Sequence, residues 1–292
     1  MQTPTLTIFA NFRIHHEERL LRMKDSFLSF KDICAQKWVI NVRGQYREQV
    51  ADFLREQLGD RLVLSFLESK QGWFYDTRQM LPHIDTDYVL FWIEDHLNLA
   101  DTKVYPPILT EMKASGTDVL WYSWFHPKVF APIQSIKGKK LDLITTYHLT
   151  KASVKFIEKK IHSAFHTVPA QSIFKVSFFK KLVTTNHPLI KKWPKNCPFD
   201  MEKISSDIEF LPLAGAFPNQ ELFTSIDAGP TQEYSLIGRG LYPDRVRREE
   251  LLYLDGRDGH HHPLKKFFPK KMWQILSWGY TWLRRIRYTL NI

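Results

Sequence analysis

Six apolar residues in succession, Tyr88 to Ile93, run directly into the acidic pair Glu94 and Asp95. Side chains alternate between the two faces of a strand, so this stretch is apolar on both. It belongs in the middle of a sheet covered by helices on each side. In open α/β sheets ligands bind beyond the carboxyl ends of the strands, which puts the acidic pair where a ligand would sit. Carboxylates there can hold Mg²⁺ or Mn²⁺, hard cations that bridge carboxylate oxygens to a diphosphate and neutralise its charge as it leaves. The plainer alternative is that Glu94 and Asp95 cap the following turn.

The sequence before this strand alternates short β-rich runs with longer amphipathic ones, the pattern of βα units and a mostly parallel sheet. Strands are predicted at Leu6 to Ala10, Trp38 to Val42 and Leu62 to Leu67. Helices are predicted at Glu17 to Phe30, with Leu20, Leu21, Phe27 and Leu28 at helical spacing, at Gln45 to Leu58 and from Trp73 to Pro82. Beyond Leu99 the alternation is less clean, with a helix at Pro107 to Ser115 and a strand at Val119 to Trp124. No internal repeat or low-complexity linker appears. The turn-rich stretch Asp255 to Pro263, DGRDGHHHP, is the one sharp change of composition.

The order of features resembles the GT-A glycosyltransferases, in particular the family-2-like group of bacterial surface-polysaccharide type. The first strand of that group commonly ends in an N-R signature ahead of a helix bearing a leucine and a serine, matched here by Asn11, Arg13, Leu20 and Ser26. A glycine and an arginine-containing helix then precede the metal-binding strand end, matched by Gly72, Arg78 and the Glu94-Asp95 pair. The match covers residues 5 to 100. The resemblance implies an α/β fold with a GT-A-like, Rossmann-type sheet flanked by helices, with a nucleotide-binding half at about 1–100 and an acceptor half at about 101–262. It implies transfer of a sugar from a nucleotide sugar to a glycan hydroxyl, with Mg²⁺ or Mn²⁺ on the diphosphate. Its residue-by-residue reading places Asn11, Arg13, Arg78, Glu94 and Asp95 at the nucleotide sugar and Asp95 and His96 at the metal, and Arg43 at the end of the second strand and Arg239 in a downstream glycine-bearing loop are further candidate contacts to the nucleotide sugar. Two departures stand out. Asn41-Val42-Arg43 replaces the aspartate that usually ends the second strand, and E-D-H replaces D-x-D, which leaves metal independence open.

Inverting members use a carboxylate near the acceptor as general base, which must lie within hydrogen-bond reach of the attacking hydroxyl. Asp200, Glu202 and Asp207 in PFDMEKISSDIEF are the candidates, Glu202 first and Asp200 second. An Asp and a Glu after a proline also favour a helix start electrostatically, without any catalytic role. Downstream, Glu233 to Arg245 combines glycines with Arg239 and Arg245. It reads either as a loop that closes guanidinium groups over a diphosphate or as a solvated surface loop. The histidines, including the 260–262 triplet, follow no zinc pattern.

The formal charge of +10 asks for a polyanionic partner. Much of the excess lies between Leu264 and Tyr288, where Lys265, Lys266, Lys270, Lys271, Arg284, Arg285 and Arg287 stand without an acidic residue. Wound as a helix, Pro269 to Ile292 gathers Met272, Ile275, Leu276, Trp282, Leu283, Ile286 and Leu290 on one broad face. Trp and Tyr beside that face and basic residues at its edges suit a helix lying in the plane of an anionic membrane surface. Residues 263–292 are therefore expected to be a basic amphipathic membrane-surface helix, with 266–292 making the contact, and a core-packing or dimer-forming helix is the alternative. A tail concentration argues against a nucleic-acid partner, which calls for a basic stripe over the folded domain. The remaining rival is a membrane-associated scaffold with a degenerate GT-A fold. The absence of a secretion signal and of any run of about 18 apolar residues predicts a cytoplasmic protein, peripheral on the inner face of the cell membrane. A membrane-bound acceptor suggests a lipid-linked glycan. Cys34 and Cys197, lacking metal or redox spacing, read as reduced core thiols.

Overall fold

The computed structural model describes residues 3–121, 133–161, 165, 167–185, 198, 210–227, 233–246 and 250. The chain divides into two compact units, Met1–Arg245 and Val246–Ile292, and all but two of the described residues lie in the first. The tail expected at 263–292 and the base candidates Asp200, Glu202 and Asp207 lie outside the described residues. No described helix is long and apolar enough to cross a membrane.

Eleven strands are described: β1 (Leu6–Arg13), β2 (Lys37–Arg43), β3 (Leu62–Ser65), β4 (Tyr88–Phe91), β5 (His96–Asn98), β6 (Val119–Trp121), β7 (Lys139–Lys140), β8 (Ile144–Leu149), β9 (Ser172–Lys175), β10 (Leu213–Pro218) and β11 (Phe223–Ser225). The helices are α1 (Glu17–Phe30), α2 (Arg47–Leu58), α3 (Trp73–Met80), α4 (Tyr105–Ser115), α5 (Lys151–Ile161) and α6 (Val176–Thr184). The main sheet has the order β3-β2-β1-β4-β9-β6-β10-β8-β7, and β5 pairs with β11 in a separate ribbon. In the main sheet β1, β2, β3, β4, β6, β7 and β10 run one way and β8 and β9 the other. This is the expected α/β architecture, a mixed but mostly parallel sheet flanked by helices.

Why β4 lies inside the sheet is visible residue by residue. Tyr88, Leu90 and Trp92 join the core on one face, while Val89, Phe91 and Ile93 join the core on the other. β1 alternates in the same way, Ile8, Ala10 and Phe12 against Phe9. On the first face α1 packs Phe27 against Trp38 and Trp92, at ring-centroid distances of 5.2 and 6.1 Å. The buried stripe of α1 is Leu20, Met23, Phe27 and Phe30, whereas Leu21 and Leu28, expected on it, are 40% and 49% exposed. On the second face Phe9 meets Phe179 of α6 at 5.3 Å. Cys34 is free as expected but exposed, which corrects its reading as a core thiol.

The connections place the site. The chain winds β1-α1-β2-α2-β3 outward in one direction, then returns through α3 to lay β4 along the other side of β1. The reversal makes the crevice beyond the carboxyl ends of β1 and β4 the topological switch point, where such sheets bind ligands.

Candidate functional site

Beyond the carboxyl end of β4, Asp95 is partly buried and held on both oxygens. Its Oδ1 lies 2.9 Å from Nδ1 of His96, and its Oδ2 accepts from Nη1 of Arg19 at 3.0 Å. Arg19 reaches it from the first turn of α1, whose N-cap is His16, the imidazole accepting from the Arg19 amide at 3.4 Å. The main chain is fixed too, since Ile226 N–H donates to the Asp95 carbonyl at 2.7 Å where β11 meets β5. Burial alone would push the Asp95 carboxyl up. The hydrogen bond and charge of His96, joined by the Arg19 guanidinium, outweigh it and hold the group well below the usual carboxylate range.

At the ends of β1 and β2 stand Arg13 and Arg43. Arg13 is exposed and paired with Glu68 of the loop after β3. Arg43 is 8% exposed, its Nε has no hydrogen-bond partner among the described residues, and no ion pair there holds it. Burial, then the neighbouring Arg13 charge, lowers its pKa, and the carboxylates of Asp76, Glu68 and Glu94 act in the opposite sense. Charges from the ends of β1, β3 and β4 and from α3 thus act on the guanidinium. Gly44 follows it at φ +94°, and a Cβ there would lie 2.3 Å from the Ile14 carbonyl oxygen, so the turn that ends β2 has room only for glycine.

A ladder of buried amides builds the wall behind these charges. Asn41 Nδ2 donates to Asn11 Oδ1 at 2.9 Å and to the Leu67 carbonyl at 2.8 Å, while Leu67 N–H donates to Asn41 Oδ1 at 2.6 Å. Asn11 Nδ2 donates to Thr77 Oγ1 at 2.9 Å, and Trp73 Nε1 donates to the Asn11 carbonyl at 2.8 Å. Asp76, 1% exposed, accepts from the Ser69 amide at 3.2 Å, and Ser69 Oγ is buried without a partner. Ser26, matched to the family's helix serine, is buried between Trp92 Nε1, which donates to it at 2.8 Å, and the His96 carbonyl, to which it donates.

Of the residues expected at the nucleotide sugar, Arg13, Arg43, Glu94 and Asp95 are thus gathered at the strand ends. Asn11 is there as well, with its side chain committed to Asn41 and α3. Arg78 is committed elsewhere, donating to the Val183 and Thr185 carbonyls at the end of α6 at 2.8 and 3.2 Å. Arg239 forms a bidentate pair with Glu221 at 2.7 and 3.0 Å. Arg245 donates to Asp25 of α1 at 3.2 Å and to the Tyr242 hydroxyl at 3.0 Å, so neither arginine of the 233–245 segment is merely solvated. Arg19, Glu68, Ser69 and Asp76 were not foreseen. Arg19 carried a signal, because the helix after the first strand of a βα unit opens toward the ligand edge.

No family model matches the chain, and no curated protein matches it. Solved structures do. Residues 1–349 of S. aureus TarS align with a TM-score of 0.47 at 12% identity, covering 76% of this chain and 60% of that one. The same segment in complex with UDP-GlcNAc gives 0.46 at 12%, covering 75% and 57%, and TarS gives 0.47 at 12%, covering 90% and 45%. This chain spans 45% to 60% of the length of these structures. The similarity is one of coarse architecture and carries no weight for activity.

The Asp95 arrangement does not fit a divalent-cation site. Both carboxylate oxygens are engaged, one by a guanidinium, and a dication at the same oxygens would face that positive charge. The His96-Asp95 pairing is of the kind that orients a metal-bound imidazole. Yet His96 is 4% exposed, and no group of three or more His, Cys, Asp or Glu among the described residues could hold an ion.

Proposed function

We propose that this protein is a glycosyltransferase that moves a sugar from a nucleotide-sugar donor to a glycan hydroxyl. The observation that carries this reading is Arg43: a buried arginine whose Nε has no hydrogen-bond partner among the described residues, at the carboxyl end of β2 next to the switch point, and attracted by the carboxylates of Asp76, Glu68 and Glu94. A guanidinium fork suits the paired oxygens of a diphosphate, and α/β sheets bind nucleotides in this crevice. Arg13 and Glu94 complete the donor contacts. The Asn11-Asn41 ladder holds the strand ends in place.

In the reaction the acceptor oxygen attacks the anomeric carbon as its proton passes to a carboxylate. The bond from that carbon to the nucleotide breaks, and its electron pair leaves on the diphosphate, inverting the centre. Glu202 and Asp200 are the proposed bases. The acceptor is proposed to be a lipid-linked precursor of a bacterial surface polysaccharide, reached from the inner face of the cell membrane through residues 266–292. Deleting those residues is expected to abolish cosedimentation with anionic liposomes, and undiminished association ends that part of the reading.

The donor reading is tested by thermal shift against nucleotides and nucleotide sugars, UDP-GlcNAc first, because a ligand that binds only the folded state raises its apparent stability. A stabilising nucleotide sugar, with hydrolysis or transfer lost in Glu202→Gln or Asp200→Asn, is the expected result. No stabilisation by any of them refutes it.

A further inference from the structure

Resting on the nucleotide-binding reading, we propose that the site holds its diphosphate through the Arg43 guanidinium in place of a divalent cation at Asp95. Two independent features carry this. The first is the carboxylate that a cation would need. Mg²⁺ demands near-ideal octahedral geometry and open oxygen ligands at about 2.0–2.1 Å. Both Asp95 oxygens are already engaged, by His96 and Arg19 at 2.9 and 3.0 Å, and the Arg19 cation, its side chain 12% exposed, would repel a dication placed on them. Asp95 is accordingly a positioning residue that fixes the start of α1 against the end of β4.

The second feature is the state of Arg43. A buried donor without an acceptor is costly, and a phosphate oxygen supplies the missing acceptor with a charge of the right sign. Ser69 Oγ, the other buried atom without a partner on this wall, belongs to a loop whose amide is fixed by Asp76, one of the carboxylates that act on Arg43. Arg43 Nε and Ser69 Oγ are thus two buried hydrogen-bonding groups without partners among the described residues, Arg43 at the end of β2 and Ser69 in the loop after β3. Arginine keeps its charge at any working pH, so the charge balance it provides needs no metal and no titration.

Calorimetric titration of the full chain with UDP, GDP, CDP and ADP and their common sugar conjugates, in EDTA and then in MnCl₂ or MgCl₂, tests the idea. The expected result is binding in EDTA, with a change of less than about fivefold in Kd when either metal is added. Arg43→Met is expected to weaken binding at least about tenfold in both conditions, the loss of a charge-assisted bidentate contact. Arg43→Lys, which keeps charge and loses the fork, should fall between the two proteins, and it serves if the Met variant does not fold. Binding that requires the metal, or that tightens about fivefold or more with it, overturns the inference and leaves the nucleotide reading standing. So does an Arg43 variant with unchanged affinity. Absence of binding to every nucleotide in every condition sinks the nucleotide reading itself, and the inference with it.

Discussion

Replacing Arg43 with methionine should make the ligand-free protein more stable. Arg43 is 8% exposed and its Nε lacks a partner among the described residues, and a buried unsatisfied donor costs about 1–3 kcal/mol. Against this stands the attraction of Asp76, Glu68 and Glu94. Glu68 already pairs with Arg13, and Asp76 accepts from the Ser69 amide, so removing Arg43 does not strip them of every partner. Methionine fills much of the same volume without a charge to desolvate, and apolar replacement of buried charges is often stabilising. The net expectation is a gain of about 1–2 kcal/mol. With a urea slope of about 3 kcal/mol/M, the unfolding midpoint should rise by about 0.3–0.7 M. Urea titration followed by tryptophan fluorescence, without nucleotide, measures it. A midpoint lowered by about 0.3 M or more would mean that the three carboxylates fully compensate the charge. Arg43 would then be an ordinary structural arginine, and the chief support for a ligand at this site would be lost.

Asn41→Ala removes the amide that joins Asn11 to Leu67 and leaves the buried Asn11 Oδ1 without that donor, so a loss of about 2–3 kcal/mol is expected in the same titration; a loss below about 1 kcal/mol would show the ladder to be dispensable. Gly44→Ala forces a Cβ to within 2.3 Å of a main-chain oxygen at positive φ, and should cost about 2–4 kcal/mol or prevent folding, read by yield and thermal melt. Asp95 has a folded pKa below its unfolded value of about 3.9, so its contribution is present above that pH and is lost as pH falls toward the folded pKa. In Asp95→Asn the decline of stability between about pH 5 and pH 3 should therefore be shallower, by up to about 1.4 kcal/mol per pH unit, and parallel curves for the two proteins would refute the assignment.

The first half of the sheet was readable because each element carries its own periodicity. Glu17 to Phe30 spaces apolar residues for a helix, and forms one although Leu21 and Leu28 fall outside its buried stripe, and Tyr88 to Ile93 is apolar on both faces and buries both. β9 was not readable. It is four residues long, it runs antiparallel, and its place between β4 and β6 depends on partners more than fifty residues before it. The site divides along the same line. That Arg13, Arg43, Glu94 and Asp95 come from strand ends follows from the βα pattern. That Arg78 is spent on carbonyls of α6 and Arg239 on Glu221 depends on long-range contacts, which leave no mark near either arginine in the sequence.

The seat of β9 bears on how the protein can come into being. β4 carries the acidic pair at its end, yet among the described residues the strand paired along its side facing away from β1 is Ser172–Lys175. On the ribosome, β4 would wait with an open, greasy edge while some eighty further residues emerge. A fragment ending near residue 100 is a poor miniature of the sheet around β1 and β4, because exposed apolar edges recruit other chains. Binding and self-association would then compete for the same unfinished strand.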